Sequence, residues 1–177
     1  MIIWKEDNWF LNWCKINPKL SEENLNTYFY FTRTSLDEKI SRISSFLSPA
    51  AQEILEQLLS KSDVKIQQAI KSVANISDSD AAAILEAMYS SMIAETTISK
   101  ELMKSFLLFA QQRTELTNDT LSYLQSFSGS QINLGCISYI ADYADKMIKK
   151  VEILEIASQW DKNKSGLQNS IEKLLEK

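Results

Sequence analysis

The sequence predicts an all-α fold, built as an array of about eight or nine antiparallel helices. Only three glycines and two prolines interrupt the 177 residues, whereas residues that favour helices, such as leucine, alanine, glutamate and lysine, are abundant. Apolar residues recur at intervals of three and four, as they do along the buried side of a helix. Strands would need more turn residues than the chain contains. A helical array is therefore the natural architecture.

The first 34 residues form an aromatic-rich N-terminal segment. Eight Trp, Tyr and Phe residues lie within the first 31 positions, and the other 146 residues hold nine. A first helix is predicted to end at Pro18, because the residue before a proline disfavours helical backbone. A second helix, capped at Ser21, would contain the run Tyr28–Phe31. Four consecutive aromatic residues extend most of the way around a helix, so they cannot all face one side.

Residues 35–177 carry the pattern of the helical array. Candidate N-caps follow one another at intervals of 13 to 15 residues, at Ser35, Ser48, Ser62 and Ser77. Pro49 suits the first helical position, where its missing N–H costs nothing. Later helices are predicted to begin at Ser99, Thr117 and Ser165. The pattern between residues 132 and 160 contains either two helices or one kinked helix.

Short turns between the predicted helices indicate how neighbouring helices pack. Connections of two to four residues place consecutive helices side by side and antiparallel. This repetition favours an α-solenoid of stacked helix pairs, similar to HEAT and armadillo units, with a compact irregular bundle as the alternative. Residues predicted to face the core include Ile40, Ile43, Leu47, Ile54, Leu58, Leu59, Ile66, Ile70, Val73, Leu85, Met88, Met92, Leu102, Phe106, Leu121, Leu124, Leu167, Ile171, Leu174 and Leu175. We expect residues 1–177 to form a single domain.

The composition disfavours several classes of function. The net charge of −4 and the pI near 5 provide no basic field for a nucleic-acid backbone. The chain has no histidine, which removes the commonest general base, the Ser-His-Asp arrangement and every histidine-containing metal site. No glycine-rich phosphate loop is present. We therefore predict no catalytic residues, no cofactor and no bound metal.

The chain also lacks the usual signals for export or membrane insertion. No apolar run approaches membrane-spanning length, and the N-terminus lacks a cationic start followed by an apolar stretch. Cys14 and Cys136 lie far apart in apolar helical patterns, so buried free thiols are expected. These observations predict a cytoplasmic protein with no membrane partner.

The clusters of charged residues in the sequence have ordinary structural interpretations. Asp142 and Asp145 share a helix side near lysines such as Lys146 and Lys150, and i,i+3 and i,i+4 pairing predicts a solvated surface. The Asp-Ser-Asp stretch at 78–80 lacks the later glycine and glutamate of a calcium loop. Helix capping explains it better, because carboxylates favour the N-terminal end of the helix dipole.

The aromatic N-terminal segment admits three interpretations. It is a short helix buried within its own domain, a docking surface for a partner, or a site in which Arg33 meets a phosphate. Aromatic residues and arginine are enriched at interfaces, and a contiguous exposed apolar patch usually has a function. The residues assigned to partner binding are Trp4, Trp9, Tyr30, Phe31 and Arg33.

Part of this segment resembles a stretch found in large bacterial P-loop ATPases of the KAP type. The pattern is a tryptophan-containing helix, a Pro-x-Leu, and a Leu-x-x-Tyr/Phe-Phe run ending in Ser/Thr-Arg. The matching positions are Trp13, Pro18, Leu20, Leu25, Tyr28, Phe29, Thr32 and Arg33, within less than a fifth of the chain. The resemblance implies a helical region that works with an ATPase domain, as the C-terminal portion of a larger protein. The initial Met and the self-contained capping also suit a small independent protein. The Walker residues are absent, so no ATPase activity carries over.

These observations together predict a non-enzymatic protein-interaction or regulatory domain. Its expected partner is another protein or domain, including a P-loop ATPase, and a homodimer is a further option. One alternative is a cryptic enzyme or nucleotide-binding domain that uses Arg33, tyrosines and carboxylates. Another is a single-stranded nucleic-acid binder that stacks bases on the aromatic side chains, which would need a local basic groove.

Overall fold

The computed structural model describes residues 36–146, 150–160 and 165–176. Within these ranges the chain forms nine α-helices and three single-turn 3-10 helices, and no strand. The helices are α1 (Leu36–Phe46), α2 (Pro49–Leu59), α3 (Asp63–Ser72), α4 (Asp78–Ile93), α5 (Lys100–Gln112), α6 (Thr117–Ser126), α7 (Ile137–Lys146), α8 (Lys150–Ser158) and α9 (Ser165–Leu175). The 3-10 turns are Val73–Asn75, Thr114–Leu116 and Leu134–Cys136. The prediction of an all-α fold is confirmed.

Serine side chains cap three of these helices as the sequence predicts. The hydroxyl oxygen of Ser48 accepts a hydrogen bond from the backbone N–H of Ala51 at 3.2 Å, and Pro49 is the first residue of α2. Ser77 caps α4 and Ser99 caps α5 in the same manner. Ser62 is the N-cap residue of α3, but its side chain makes no capping hydrogen bond. The predicted cap at Ser35 lies outside the described residues.

The long apolar pattern between residues 132 and 160 contains two helices, α7 and α8. The loop before α7 is held against the loop between α4 and α5. The side-chain amide of Gln131 donates to the backbone carbonyls of Ile93 and Glu95. The backbone carbonyl of Gln131 accepts from the N–H of Ile98 at 2.9 Å. Asn133 donates to the carbonyl of Ile98. These bonds join two connections that lie far apart in the sequence.

Helix α5 lies at the centre of the described array. It packs against α2 and α3 on the N-terminal side of the chain, against its neighbours α4 and α6, and against α7 beyond them. Contacts also link helices that are two apart in the chain. These pairs are α3 with α5, α5 with α7, α7 with α9, and α6 with α8. Both predicted architectures, the solenoid and the irregular bundle, accommodate these contacts.

A continuous hydrophobic core extends from Ile43 in α1 to Leu175 in α9. Most of the residues predicted to face it are buried, and Ile40, Leu59, Ile70 and Leu121 are half-buried and pack against it. Leu174 is the exposed exception among the described positions. Leu174 is 37% exposed, whereas Leu175 is 6% exposed. Successive helical residues are rotated by about 100°, so only one member of this pair can point fully inward. The prediction that Leu174 faces the core is therefore wrong.

Helix α4 is buried far more completely than a one-sided stripe predicts. All ten residues from 81 to 90 are buried, including Glu86 and Ser90. Helices α1, α2 and α5 pack on α4, and Tyr89 reaches α6. The rings of Tyr89 and Tyr123 stack with centroids 4.5 Å apart, and the Tyr89 and Ser126 hydroxyls lie 2.7 Å apart. A helix with neighbours on several sides has no solvated side.

None of the helices in the described ranges is both long and apolar enough to cross a membrane.

Candidate functional site

The residues assigned to partner binding from the sequence lie outside the described residues. They are Trp4, Trp9, Tyr30, Phe31 and Arg33. The eight positions that resemble the KAP-type segment, and Cys14, also lie outside them. The docking interpretation of the aromatic segment therefore stays a prediction.

The acidic residues of α7 form ordinary surface ion pairs. The Asp142 carboxylate lies 3.1 Å from the Lys146 ammonium, and the Asp145 carboxylate lies 2.8 Å from the ammonium of Lys150. The Asp142–Lys146 pair confirms the predicted i,i+4 pairing, whereas Asp145 and Lys150 are five residues apart and join α7 to α8. Across the described parts of the chain, no group of three or more Cys, Asp or Glu residues is arranged to hold a metal ion.

Cys136 is a buried free thiol, as expected from the sequence. Its sulfur lies 3.7 Å from the carbonyl oxygen of Ile98. Burial disfavours the thiolate and raises the pKa of Cys136 to about 11. The thiolate is the nucleophilic form, so this cysteine is chemically quiet near neutral pH.

Arg113, at the end of α5, makes polar contacts with four other residues, and sequence reasoning missed it. It is only 6% exposed. Its guanidinium donates to the carbonyls of Val73 and Ile76, at 3.2 and 2.9 Å. It also pairs with the carboxylates of Asp78 and Glu115. Arg113 thereby fastens the end of α5 to the connection between α3 and α4.

The described surface contains an open groove, which we call the α2 groove, along the outer side of α2. It consists of two adjoining cavities of about 700 and 620 Å³. Glu53, Gln57 and Gln68 line both cavities, so the two adjoin one another along α2. Helix α1 contributes Ile40 at one end, and Ile76 lies at the other. The groove therefore draws on three helices and the start of the next connection.

The helical period explains why polar side chains line the α2 groove. In α2 the buried residues Ile54, Leu55 and Leu58 face the core, which turns Glu53 and Glu56 outward. In α3 the buried residues Ile66 and Ala69 have the same effect on Lys65, Gln68 and Lys71. The two helices pack directly on each other, so their outward residues form the facing walls.

A tight turn brings α3 back alongside α2. Lys61 has φ of 58°, in the left-handed region that few residues other than glycine adopt readily. The hydroxyl of Ser60, the C-cap residue of α2, donates to the carbonyl of Gln57 at 2.6 Å. This bond satisfies one of the free carbonyls at the end of the helix. The Lys61 ammonium also lies 3.4 Å from the carboxylate of Glu95. The turn thus reverses the chain between α2 and α3.

The far end of the groove is held by the Arg113 network. Ile76 lines the second cavity, and its carbonyl accepts one of the hydrogen bonds from Arg113. Asn75, which belongs to the same 3-10 turn, also lines this cavity. The position of this end of the groove therefore depends on a side chain from α5.

Several polar side chains of the groove remain free to bind a ligand. The amide of Gln57 donates to Glu53 at 3.2 Å, but each group keeps further hydrogen-bonding capacity. Other lining side chains make no hydrogen bond or ion pair to any residue within the described ranges: Glu56, Lys65, Gln68 and Lys71. The floor is apolar, with Leu55 buried and Ile40 and Leu59 half-buried. An apolar floor beneath a polar rim is the usual anatomy of a binding surface.

Comparisons with known proteins return no match: no protein-family model, no curated protein and no solved structure matches this chain. The function is therefore argued from the site itself.

Proposed function

We propose that this chain is a non-enzymatic protein-interaction domain that regulates or scaffolds a partner by holding a polypeptide segment in the α2 groove. The observation that carries the proposal is the groove itself, which is open to solvent and lined by three helices with an apolar floor and an unengaged polar rim. Such a surface offers contact area together with groups that fix the orientation of a partner.

The aromatic N-terminal segment belongs to the same proposal as a second contact surface. Its partner-binding residues remain Trp4, Trp9, Tyr30, Phe31 and Arg33. The resemblance of this segment to KAP-type ATPases makes a P-loop ATPase domain one partner worth testing. Both surfaces lead to the same class of function, because each would present this chain to another protein.

The proposal can be tested with a phage-displayed library of random peptides, about seven residues long. The wild-type chain is used for selection, and the recovered peptides are then measured by fluorescence anisotropy. A groove variant combines Glu53→Ala, Gln57→Ala and Gln68→Ala. We expect it to bind the recovered peptides at least roughly tenfold more weakly, because 1.4 kcal/mol of lost contact energy is a factor of ten.

A matched control carries the same number of substitutions at exposed positions that do not line the groove: Lys100→Ala, Gln112→Ala and Glu155→Ala. It should bind as the wild type does, and far-UV circular dichroism should show unchanged helix content in both variants. Recovery of no peptide whose binding depends on the groove would refute the groove as the interaction site. If the double variant Tyr30→Ser/Phe31→Ser loses peptide binding while the groove variant keeps it, the aromatic segment is the binding surface.

A further inference from the structure

We infer that the occupant of the α2 groove is an extended polypeptide segment, recognised mainly through its backbone. This inference rests on the proposed function and specifies the kind of ligand. It follows from the length of the groove, the distribution of charge on its walls and the hydrogen-bonding capacity of the residues that line it.

The length of the groove suits a short extended segment. The groove follows α2, whose 11 residues extend about 16 Å at 1.5 Å per residue. An extended chain advances about 3.3 Å per residue, so about five residues span this distance. A helix would cover the same distance with roughly eleven residues.

The two walls of the groove carry opposite charges that cancel. Glu53 and Glu56 stand on the α2 wall, and Lys65 and Lys71 stand on the α3 wall. A strongly charged ligand would meet one favourable wall and one unfavourable wall. A nucleic-acid backbone in particular would place its phosphates beside two carboxylates. The arrangement favours a ligand that is polar without net charge, and the peptide backbone has this character.

Both walls supply the partners that an extended backbone requires. The edges of an extended chain expose N–H donors and C=O acceptors along both sides. On the α2 wall, carboxylates accept from N–H groups and the Gln57 amide also donates. On the α3 wall, lysines donate to carbonyls and the Gln68 amide also accepts. A helical ligand has most backbone groups bonded internally, so these side chains would find few partners.

The apolar floor adds a limited preference for sequence. Ile40, Leu55 and Leu59 lie beneath the polar rim. Alternate side chains of an extended segment point to opposite sides, so every second residue of the ligand faces this floor. We expect one or two apolar residues at such positions, with variable residues between them.

Backbone N-methylation of a recovered peptide tests this inference directly. Each N-methyl group removes one N–H donor and leaves the side chain intact. We expect methylation at two or more central positions to weaken binding by at least about tenfold each. Alanine at the residues between the apolar positions should weaken it by less than about threefold. Recognition through side chains alone would give the reverse pattern and would overturn the inference while the proposed function stands.

The amide side chains can be tested with a matched pair of variants. Gln68→Glu removes the donors of a lining residue, and we expect roughly tenfold weaker binding of the same peptide. Gln67→Glu makes the same chemical change at the adjacent exposed residue, which does not line the groove, and should leave affinity unchanged. Equal effects of the two variants would overturn the inference, because a general charge effect would then explain both. A helical bound conformation, seen by transferred nuclear Overhauser effects, would overturn it too.

Discussion

At the residue scale, Arg113 shows how one side chain stabilises a distant junction. It is one of three arginines, and its position in the sequence is that of an ordinary residue at a helix end. In the fold its planar guanidinium reaches two backbone carbonyls and two carboxylates at once. Lysine could not reproduce this fork of donors, because its single ammonium acts as a point charge. Arg113 therefore fixes the connection between α3 and α4 and, with it, the end of the α2 groove.

Replacing Arg113 with methionine should lower the free energy of unfolding by about 2–4 kcal/mol. The side-chain stem is kept, but the carbonyls of Val73 and Ile76 lose their partner. Urea unfolding followed by circular dichroism measures the change. Lys100→Met provides the control, because Lys100 is exposed and its carboxylate neighbour Glu101 is 4.0 Å away; it should cost less than about 0.5 kcal/mol. Equal costs for the two variants would mean that the Arg113 network gives no net stabilisation.

At the element scale, two serines that look equivalent in the sequence have different roles. Ser48 and Ser62 both precede helices as N-cap residues. Ser48 accepts from the N–H of Ala51 and also donates to the Asp80 carboxylate of α4 at 2.8 Å. The side chain of Ser62 makes no capping bond. Ser48 thus caps the start of α2 and joins it to α4, whereas Ser62 stands at the N-cap position of α3 without a capping bond.

Substitution of these two serines should therefore have unequal effects. Ser48→Ala should lower the free energy of unfolding by about 1–2 kcal/mol, since it removes the cap and the bond to Asp80. Ser62→Ala should change it by less than about 0.5 kcal/mol. Parallel urea titrations give both values. A larger loss from Ser62→Ala than from Ser48→Ala would contradict the capping pattern of the structure.

At the scale of the whole molecule, α5 joins the helices that precede it to those that follow it in the described array. In a simple linear array each repeat contacts only its neighbours, so the ends can unfold separately. Here α5 packs on α2 and α3 as well as on α6 and α7, and it buries Phe106 and Phe109 completely. Removing the C-terminal helices would expose this central surface. We therefore expect the array to unfold as one cooperative unit.

Trp160 can report on this cooperativity. It is 7% exposed and follows α8. In a variant with Trp4, Trp9 and Trp13 changed to phenylalanine, Trp160 is the sole tryptophan. Its fluorescence and far-UV circular dichroism should have the same urea midpoint, because both would follow one transition. A lower midpoint for the fluorescence would show that the C-terminal helices unfold as a separate unit.

The sequence by itself determined the features that depend on neighbouring residues. The all-α class, the N-caps at Ser48, Ser77 and Ser99, and most of the inward-facing residues follow from capping chemistry and the 3.6-residue period. These signals are local, because a cap and its partner lie only three residues apart.

Only the tertiary structure decided the features that join distant parts of the chain. Burial of α4 on several sides depends on α1, α2, α5 and α6 together, so its own sequence could not reveal it. Arg113 lies 40 positions after Val73, and no periodic pattern relates them. The α2 groove likewise depends on how α1, α2 and α3 pack. Long-range packing creates these sites, which is why the candidate binding surface emerged from the fold and the helices from the sequence.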